Sequence, residues 1–293
     1  MTTGSWRPIL TALAATVIVC TETGAVRQGP NLSRDPMVAA AAAYVRSYQQ
    51  QFAFLIADER TVQESFGVKG EAHIPLGRRT TRGEIFITFL EGRRHWTAVR
   101  DVAEVDGIAV LDRVNLPDLL SREDPDTVAR RLFALNARYN IGGVVRNFND
   151  PMLALLPLSD AHRSRFSFDV ERADRRDGRA PQVTLAFRER ERPTLVRPES
   201  GGAAFARGAL TIDAGTGTVR HARFTVRYDT IEAELVTEFT REDRLDLWVP
   251  STFSERYMNR VDGIDDLITS TSTYSNYRRF EARGRLLESR PAP

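Results

Sequence analysis

Apolar and polar residues alternate along most of the chain after Phe166. Successive side chains of a β-strand point to opposite faces, so this period of two predicts strands with one apolar face and one face of Arg, Glu and Thr. The alternating runs lie at residues 166–170, 183–187, 210–212, 222–228, 231–239, 247–253 and 273–280. Asp177-Gly178 and residues 213–217 are typical turns between such runs. Because strands joined by short turns are antiparallel, the pattern predicts one large antiparallel sheet with one face against a core.

The region before this sheet combines a predicted helix, a predicted loop and further strands. Apolar residues recur at helical spacing in residues 31–63, which predicts one long amphipathic helix. They are Tyr44, Val45, Tyr48, Phe52, Leu55 and Ile56. Glycines and prolines in residues 64–82 predict a loop. Residues 84–90 and 96–105 are predicted strands, and Asp106-Gly107 is a predicted hairpin turn.

A helical insert is predicted at about residues 116–162. Asp124-Pro125 supplies an N-cap and a proline at the first helical position. The apolar stripe of this helix is Val128, Leu132, Leu135 and Tyr139. A second, shorter helix is predicted after Asp150-Pro151. The predicted fold class is therefore α+β, a large antiparallel sheet with a long N-terminal helix and a helical insert packed on one face.

Residues 1–25 have the pattern of a secretory signal peptide. Arg7 supplies a positive charge, residues 8–20 form an apolar run, and small residues up to Ala25 suit a signal peptidase. The run is shorter than the roughly 20 apolar residues that cross a membrane, so no transmembrane helix is expected in the mature chain. We therefore expect a single α+β domain at residues 26–293, in the periplasm or secreted. An outer-membrane lipoprotein with its lipid on Cys20 is the alternative.

The balance of charges argues against a nucleic-acid partner. The chain has 41 Lys and Arg residues against 39 Asp and Glu residues, which gives a formal net charge of +2. A dedicated nucleic-acid binder normally carries a basic face, so we expect none here. Lys69 is the only lysine, and Schiff-base or P-loop chemistry would have to use this residue.

The sequence contains no recognisable catalytic or metal-binding motif. None of the four histidines has a second histidine or a cysteine at the spacing of a zinc site. The G-x-S-x-G elbow of serine hydrolases and the glycine-rich phosphate loops are absent as well. We therefore predict no catalytic residue, no metal and no cofactor. A pair of carboxylates for glycoside hydrolysis stays open, and with it a secreted hydrolase.

Several short motifs resemble one family of exported proteins. Arg82-Gly83 opens an apolar strand, Trp96 lies in the next strand, and Asp106-Gly107 follows as a turn. With a helix before them, this order resembles periplasmic lipoprotein carriers of the LolA/LolB type and the related RseB-like domains. Residues 208–213, followed by Gly217, are similar to a hairpin of the same family. The layout is also similar to uncharacterised exported bacterial proteins.

The resemblance implies an unclosed antiparallel β-barrel whose concave apolar face is covered by helices and receives acyl chains. The leading interpretation is then a non-enzymatic envelope protein that binds a lipid or a lipoprotein acyl chain on this face. The candidate lining residues are Phe86, Phe168, Phe187, Phe224, Val226, Leu235 and Phe239. If the insert at residues 116–162 fills the concavity, the same side chains form a packed core instead. An RseB-like module that binds an envelope protein partner is the alternative function.

Overall fold

The computed structural model describes residues 15–16, 36–51, 55–90, 95–113, 118–119, 122–123, 125–144, 146, 150–174, 181–198, 201–261 and 263–279. The predicted signal peptide lies outside the described residues, except for Ala15 and Thr16. Cys20 and the predicted turn at Asp177-Gly178 lie outside them too.

One antiparallel sheet of eleven strands forms the body of the protein. The strands of the chain are β1 (Ala15–Thr16), β2 (Leu55–Lys69), β3 (Ala72–Leu90), β4 (His95–Val105), β5 (Ile108–Ala109), β6 (Phe166–Asp174), β7 (Gln182–Glu189), β8 (Arg197–Pro198), β9 (Arg207–Asp213), β10 (Val219–Tyr228), β11 (Ile231–Glu242), β12 (Leu247–Asn259) and β13 (Asp265–Arg279). The order across the sheet is β5-β4-β3-β2-β13-β12-β11-β10-β9-β7-β6, and β1 pairs separately with β8.

The helices are α1 (Pro36–Gln51) and α2 (Pro125–Asn136), with short 3-10 helices at Ala137–Tyr139, Leu153–Leu158 and Arg163–Arg165. The sheet is not closed, because its edge strands β5 and β6 do not pair with each other. The predicted α+β class is therefore confirmed. The predicted strands after Phe166 are confirmed as well, although the second helix of the insert is a 3-10 helix.

The predicted long helix is wrong from Leu55 onward, and the predicted loop at residues 64–82 is also wrong. These residues form β2 and β3, which pair along the whole of β2. Phe52 of the predicted helix lies outside the described residues. From residue 59 onward, the core-facing side of β2 carries polar residues, namely Glu59, Thr61, Gln63 and Ser65. An alternation of apolar and polar residues is therefore missing there, and periodicity could not reveal the strand.

Pro75 also favoured the incorrect prediction of a loop. A proline in a central strand removes a hydrogen bond from the ladder, so it normally argues against a strand. Here β4 pairs with β3 over residues 81–90, whereas Pro75 pairs with Phe66 on the β2 side. Pro75 thus lies in the edge part of β3, where a missing backbone N–H is tolerated.

The two faces of the sheet carry separate cores. We call the face that bears Leu55, Ile85 and Ile87 the inner face, and α1 packs on it. Ile56 and Phe86 alternate with these residues and therefore point to the other face, which we call the outer face. The α1 side chains in the inner core are Val38, Ala41, Val45 and Tyr48.

Helix α2 packs on the outer face, opposite to α1, so the prediction that the N-terminal helix and the insert share one face is wrong for this helix. Val128 and Leu132 contact the cluster of Ile56, Phe86 and Val99. The predicted burial of Leu132 is confirmed, since only 2% of this residue is exposed. Leu135 is 38% exposed, so its place in the buried stripe was predicted wrongly. Among the described residues, this outer apolar patch is much smaller than the inner core.

Helix α1 rests directly on the turn between β9 and β10. Gly217 in this turn has a φ of 70°, a left-handed conformation that favours glycine. A Cβ at this position would lie 2.3 Å from the carbonyl carbon of Ala40. The close approach of turn and helix therefore requires glycine at residue 217.

Candidate functional site

One row of side chains crosses the inner face from β2 to β6. Its members are register partners on successive strands: Gln63, Ser270, Glu255, Leu235, Phe224, Gly208, Phe187 and Phe168. Neighbouring strands lie about 4.8 Å apart, so the row is about 34 Å long. It is polar from Gln63 to Glu255 and apolar from Leu235 onward. We call these two parts the polar end and the apolar end.

The apolar end brings together most of the predicted lining residues. Phe187, Phe224, Val226, Leu235 and Phe239 are buried in the inner core, and Phe168 packs against it partly buried. Phe86 is the exception, because it lies on the outer face under α2. The neighbouring Ile85 and Ile87 occupy the inner face, and alternation along β3 then directs Phe86 away from it.

Gly208 allows the aromatic side chains of the apolar end to approach one another. A Cβ at this position would lie 2.5 Å from Cζ of Phe187, so the Phe187 ring lies across the glycine. The ring centroid of Phe187 is 5.9 Å from that of Phe166 and 6.3 Å from that of Phe224. The result is a continuous aromatic surface from β6 to β10.

Helical segments cover the apolar end. The 3-10 helix Leu153–Leu158 is buried over its whole length and contacts α1, β10 and β11. Thr237 on β11 donates a hydrogen bond of 2.7 Å to the carbonyl oxygen of Pro151. At the other end, Arg46 of α1 donates two hydrogen bonds of 2.7 and 2.8 Å to the carboxylate of Asp160. We call α1 and residues 150–160 together the cover.

The polar end is organised around Arg146, which is only 1% exposed. Its Nη2 donates hydrogen bonds to Oε1 of Gln63 and to Oδ1 of Asn140, the latter at 2.9 Å. Its Nη1 lies 3.9 Å from Oε2 of Glu255, which is buried as well. The Tyr257 hydroxyl donates a hydrogen bond of 2.7 Å to the other oxygen of Glu255. Burial raises the pKa of Tyr257 well above its usual value, so this hydroxyl stays protonated.

A second buried ion pair lies beside the first. Nε of Arg100 donates to both carboxylate oxygens of Glu59, at 2.9 and 3.0 Å. Burial is the largest single influence on Arg100 and opposes its charge, but Glu59, Tyr274 and Glu255 together outweigh it, so the pKa of Arg100 is raised. Thr61 and Ser272 hydrogen-bond to each other at 2.7 Å on the same face. Each guanidinium at the polar end thus has its own carboxylate.

These polar side chains surround a cavity of about 60 Å³. Its lining includes Gln63, Arg100, Arg146, Glu255 and Ser270. Two buried atoms of this lining, Nε of Arg146 and Oγ of Ser270, have no hydrogen-bond partner within the part of the chain that the structure describes. The cavity therefore offers hydrogen-bonding groups that the described residues leave unused.

Asp150 is the first residue of the 150–160 segment of the cover, and its carboxyl has a raised pKa. Burial raises the pKa of its carboxyl to about 6, although the backbone N–H of Met152 and the charge of Arg100 oppose this change. Oδ1 of Asp150 accepts the hydrogen bond from Met152 at 2.7 Å. The carboxyl therefore titrates in the mildly acidic range.

None of the residues of the polar end was predicted as a site residue from the sequence. The signal of this end is a run of polar residues at every second position, such as Glu59, Thr61 and Gln63 on β2. Ser270 and Ser272 repeat this pattern on β13. In a sequence, polar residues at every second position normally indicate the solvent-facing side of a strand. That these side chains are buried is visible only from their hydrogen-bond partners, which are distant in the sequence.

None of the described helices has the length and apolar character needed to cross a membrane. Within the same part of the chain, no group of three His, Cys, Asp or Glu side chains is placed to hold a metal ion.

No protein-family model and no curated protein matches the chain. Among solved structures it is similar to a domain assigned to an outer membrane lipoprotein-sorting protein from Vibrio parahaemolyticus, with 11% identity over 85% of this chain and 93% of that one, at a TM-score of 0.36. It is similar to a DUF1329 family protein from Desulfovibrio piger, with 11% identity over 84% of this chain and 93% of that one, at a TM-score of 0.34.

A further similarity is to the MucA/MucB complex of Pseudomonas aeruginosa, with 10% identity over 82% of this chain and 98% of that one, at a TM-score of 0.20. The sequence motifs described above resemble the same kind of lipoprotein carrier.

Proposed function

We propose that this protein is a non-enzymatic binding protein that holds an apolar ligand, a lipid or a lipoprotein acyl chain, on the inner face of its sheet. The observation that supports this most directly is the apolar end of the row, where Leu235, Phe224 and Phe187 lie beneath a helical cover. Such a cover can be displaced without breaking a strand of the sheet.

The two polar attachments of the cover are individually weak. A ligand chain on Phe224 and Leu235 replaces apolar contacts that the buried 3-10 helix makes with β10 and β11. Each CH₂ group that leaves water contributes about 0.8 kcal/mol. The exposed ion pair of Arg46 and Asp160 is worth about 0–1 kcal/mol, and the hydrogen bond of Thr237 about 0.5–1.5 kcal/mol. The burial of a few CH₂ groups therefore offsets the loss of both attachments.

Uptake of a fluorescent fatty acid tests this function. Leu235→Gln places a polar side chain at the centre of the apolar end, and we expect binding to weaken at least tenfold, which corresponds to about 1.4 kcal/mol. Val236→Gln is the matched control, because the next residue of β11 points to the other face. This control should bind like the wild type.

The packed-core alternative gives the opposite results. In that case the wild type shows no saturable uptake, and Leu235→Gln lowers stability without any effect on a ligand. Equal weakening by Leu235→Gln and Val236→Gln would also contradict the proposed site.

We further propose an envelope location, with removal of residues 1–25 and a mature protein in the periplasm or secreted. The support is the charged start, the apolar run and the small residues before Val26. Intact-mass measurement of the native protein tests this. A mass that includes residues 1–25 overturns the proposal, and an added diacyl mass on Cys20 replaces it by a lipid-anchored protein.

A further inference from the structure

We propose that the cavity at the polar end binds an uncharged carbonyl group of the ligand, so that the preferred ligand is an acyl ester or amide and not a free fatty acid. This inference rests on the proposed function, since it assigns the polar part of the same ligand. It follows from the size of the cavity, its charge, its unused donors and its place in the row.

The cavity is large enough for a polar group of several atoms. A single water needs about 10–15 Å³ of such space. The cavity offers about 60 Å³ between Gln63, Arg100, Arg146, Glu255 and Ser270. One ester or amide group fits this space, whereas a long chain does not.

The charges of the lining are already balanced. Arg146 is paired with Glu255, and Arg100 is paired with Glu59. An added carboxylate or phosphate would leave one buried negative charge without a counterion, which is strongly unfavourable. Asp150 adds a further negative charge near Arg100 above about pH 6. The lining therefore favours a neutral ligand group.

The unpaired hydrogen-bonding atoms of the cavity determine which kind of neutral ligand group can bind there. Nε of Arg146 and Oγ of Ser270 have no partner among the described residues, and these two residues are 1% and 2% exposed. A guanidinium N–H can only donate, so it needs an acceptor, and a serine hydroxyl can donate as well. A carbonyl oxygen has two lone pairs and no hydrogen to donate. An ester or amide therefore satisfies these donors, whereas a plain hydrocarbon leaves them unpaired.

The position in the row connects this cavity with the apolar end. Ser270 and Glu255 are partners, and Glu255 is the partner of Leu235. A carbonyl group at Ser270 thus lies about 10 Å, two strand spacings, from Leu235. The attached chain can continue over Leu235, Phe224 and Phe187 beneath the cover.

Three competitors with the same chain length test this inference, through displacement of a fluorescent fatty-acid probe at about pH 8. They are palmitate, which is an anion, monopalmitoylglycerol, which is a neutral ester, and hexadecanol, which is neutral without a carbonyl. We expect the ester to bind at least tenfold more tightly than palmitate and more tightly than hexadecanol.

Ser270→Ala removes one donor and should reduce the preference for the ester over hexadecanol about fivefold, the effect of one neutral hydrogen bond. Ser275→Ala, at an exposed position of the same strand, is the control and should leave the preference unchanged.

Each other outcome has a distinct meaning. If none of the competitors displaces the probe and the probe itself does not bind, the proposed function fails together with this inference. If all three bind but palmitate binds as tightly as the ester, the function stands and the inference is overturned. An ester preference that Ser270→Ala leaves intact also overturns it, because the carbonyl then lies elsewhere.

Discussion

Glu255 on β12 and Leu235 on β11 are register partners, so the inner face changes from charged to apolar across a single strand spacing. Glu255 is buried beside this apolar core, where an isolated carboxylate would be strongly unfavourable. Arg146 and Tyr257 make its burial tolerable, the first through its charge and the second through a hydrogen bond. The polar end is therefore one interdependent cluster, and we expect that substitution of a single member lowers the stability of the protein.

Glu255→Leu should destabilise the protein severely, because Arg146 then stays buried without its carboxylate. Loss of one partner of a buried pair costs about 3–5 kcal/mol, and we expect a decrease of this size in the free energy of unfolding measured with urea. The double variant Arg146→Met with Glu255→Leu removes both charges and should recover most of the loss. A single variant as stable as the wild type, or a double variant no better than the single one, would contradict this interdependence.

Leu132→Ala should weaken the attachment of α2 to the outer face. Leu132 is buried against Ile56, Phe86 and Val99, and truncation of a buried leucine costs about 2–5 kcal/mol. Leu135→Ala on the same helix is the control, since Leu135 is 38% exposed and lies outside the buried cluster, and it should change stability by no more than about 0.5 kcal/mol. Similar effects of the two variants in thermal or urea denaturation would show that α2 is not held by this patch.

Gly217→Ala should disturb the contact between α1 and the β9–β10 turn. The left-handed φ and the backbone of Ala40 both oppose a Cβ here, so we expect a loss of more than about 1 kcal/mol. Gly215→Ala in the same turn is the matched control, because its Cβ would meet only Oδ1 of Asp213 at 3.5 Å. If both variants unfold at the same urea concentration as the wild type, α1 does not rest on this turn.

Asp150 should contribute more to the stability of the protein in mild acid than at neutral pH. Its pKa is about 6 in the folded protein, against about 3.9 in an unfolded chain, so the folded state binds the proton more tightly. The contribution of this group to stability is therefore fully present below about pH 4 and is lost as the pH rises to about 6.

Asp150→Asn isolates this effect, because its amide oxygen still accepts the Met152 hydrogen bond but carries no charge. We expect the variant to gain stability relative to the wild type as the pH rises from about 4 to about 7, measured by urea unfolding at several pH values. A difference between the two proteins that does not vary with pH would rule out titration of Asp150 in this range.

Much of the sheet could be predicted because strand period and turn chemistry act over a few neighbouring residues. Phe224 and Leu235 are partners across the turn at Asp229-Thr230, as their alternating runs indicate. The turn at Asp106-Gly107 has left-handed φ values at both residues, which the sequence pattern anticipates. The faces on which α1 and α2 lie could not be predicted, because amphipathicity shows which side of a helix is buried and not what it is buried against.

The sequence by itself determined the alternating strands, the hairpin turns, the helix at α1 and the apolar character of Phe187, Phe224 and Leu235. Only the tertiary structure decided that β2 is a strand, that Phe86 faces α2, and that Arg146 meets Gln63 from 83 positions away. The physical reason is that an element with one face in water and one face in the core shows an alternation of polar and apolar residues along its own sequence. A buried charge depends instead on partners from distant strands that converge on it.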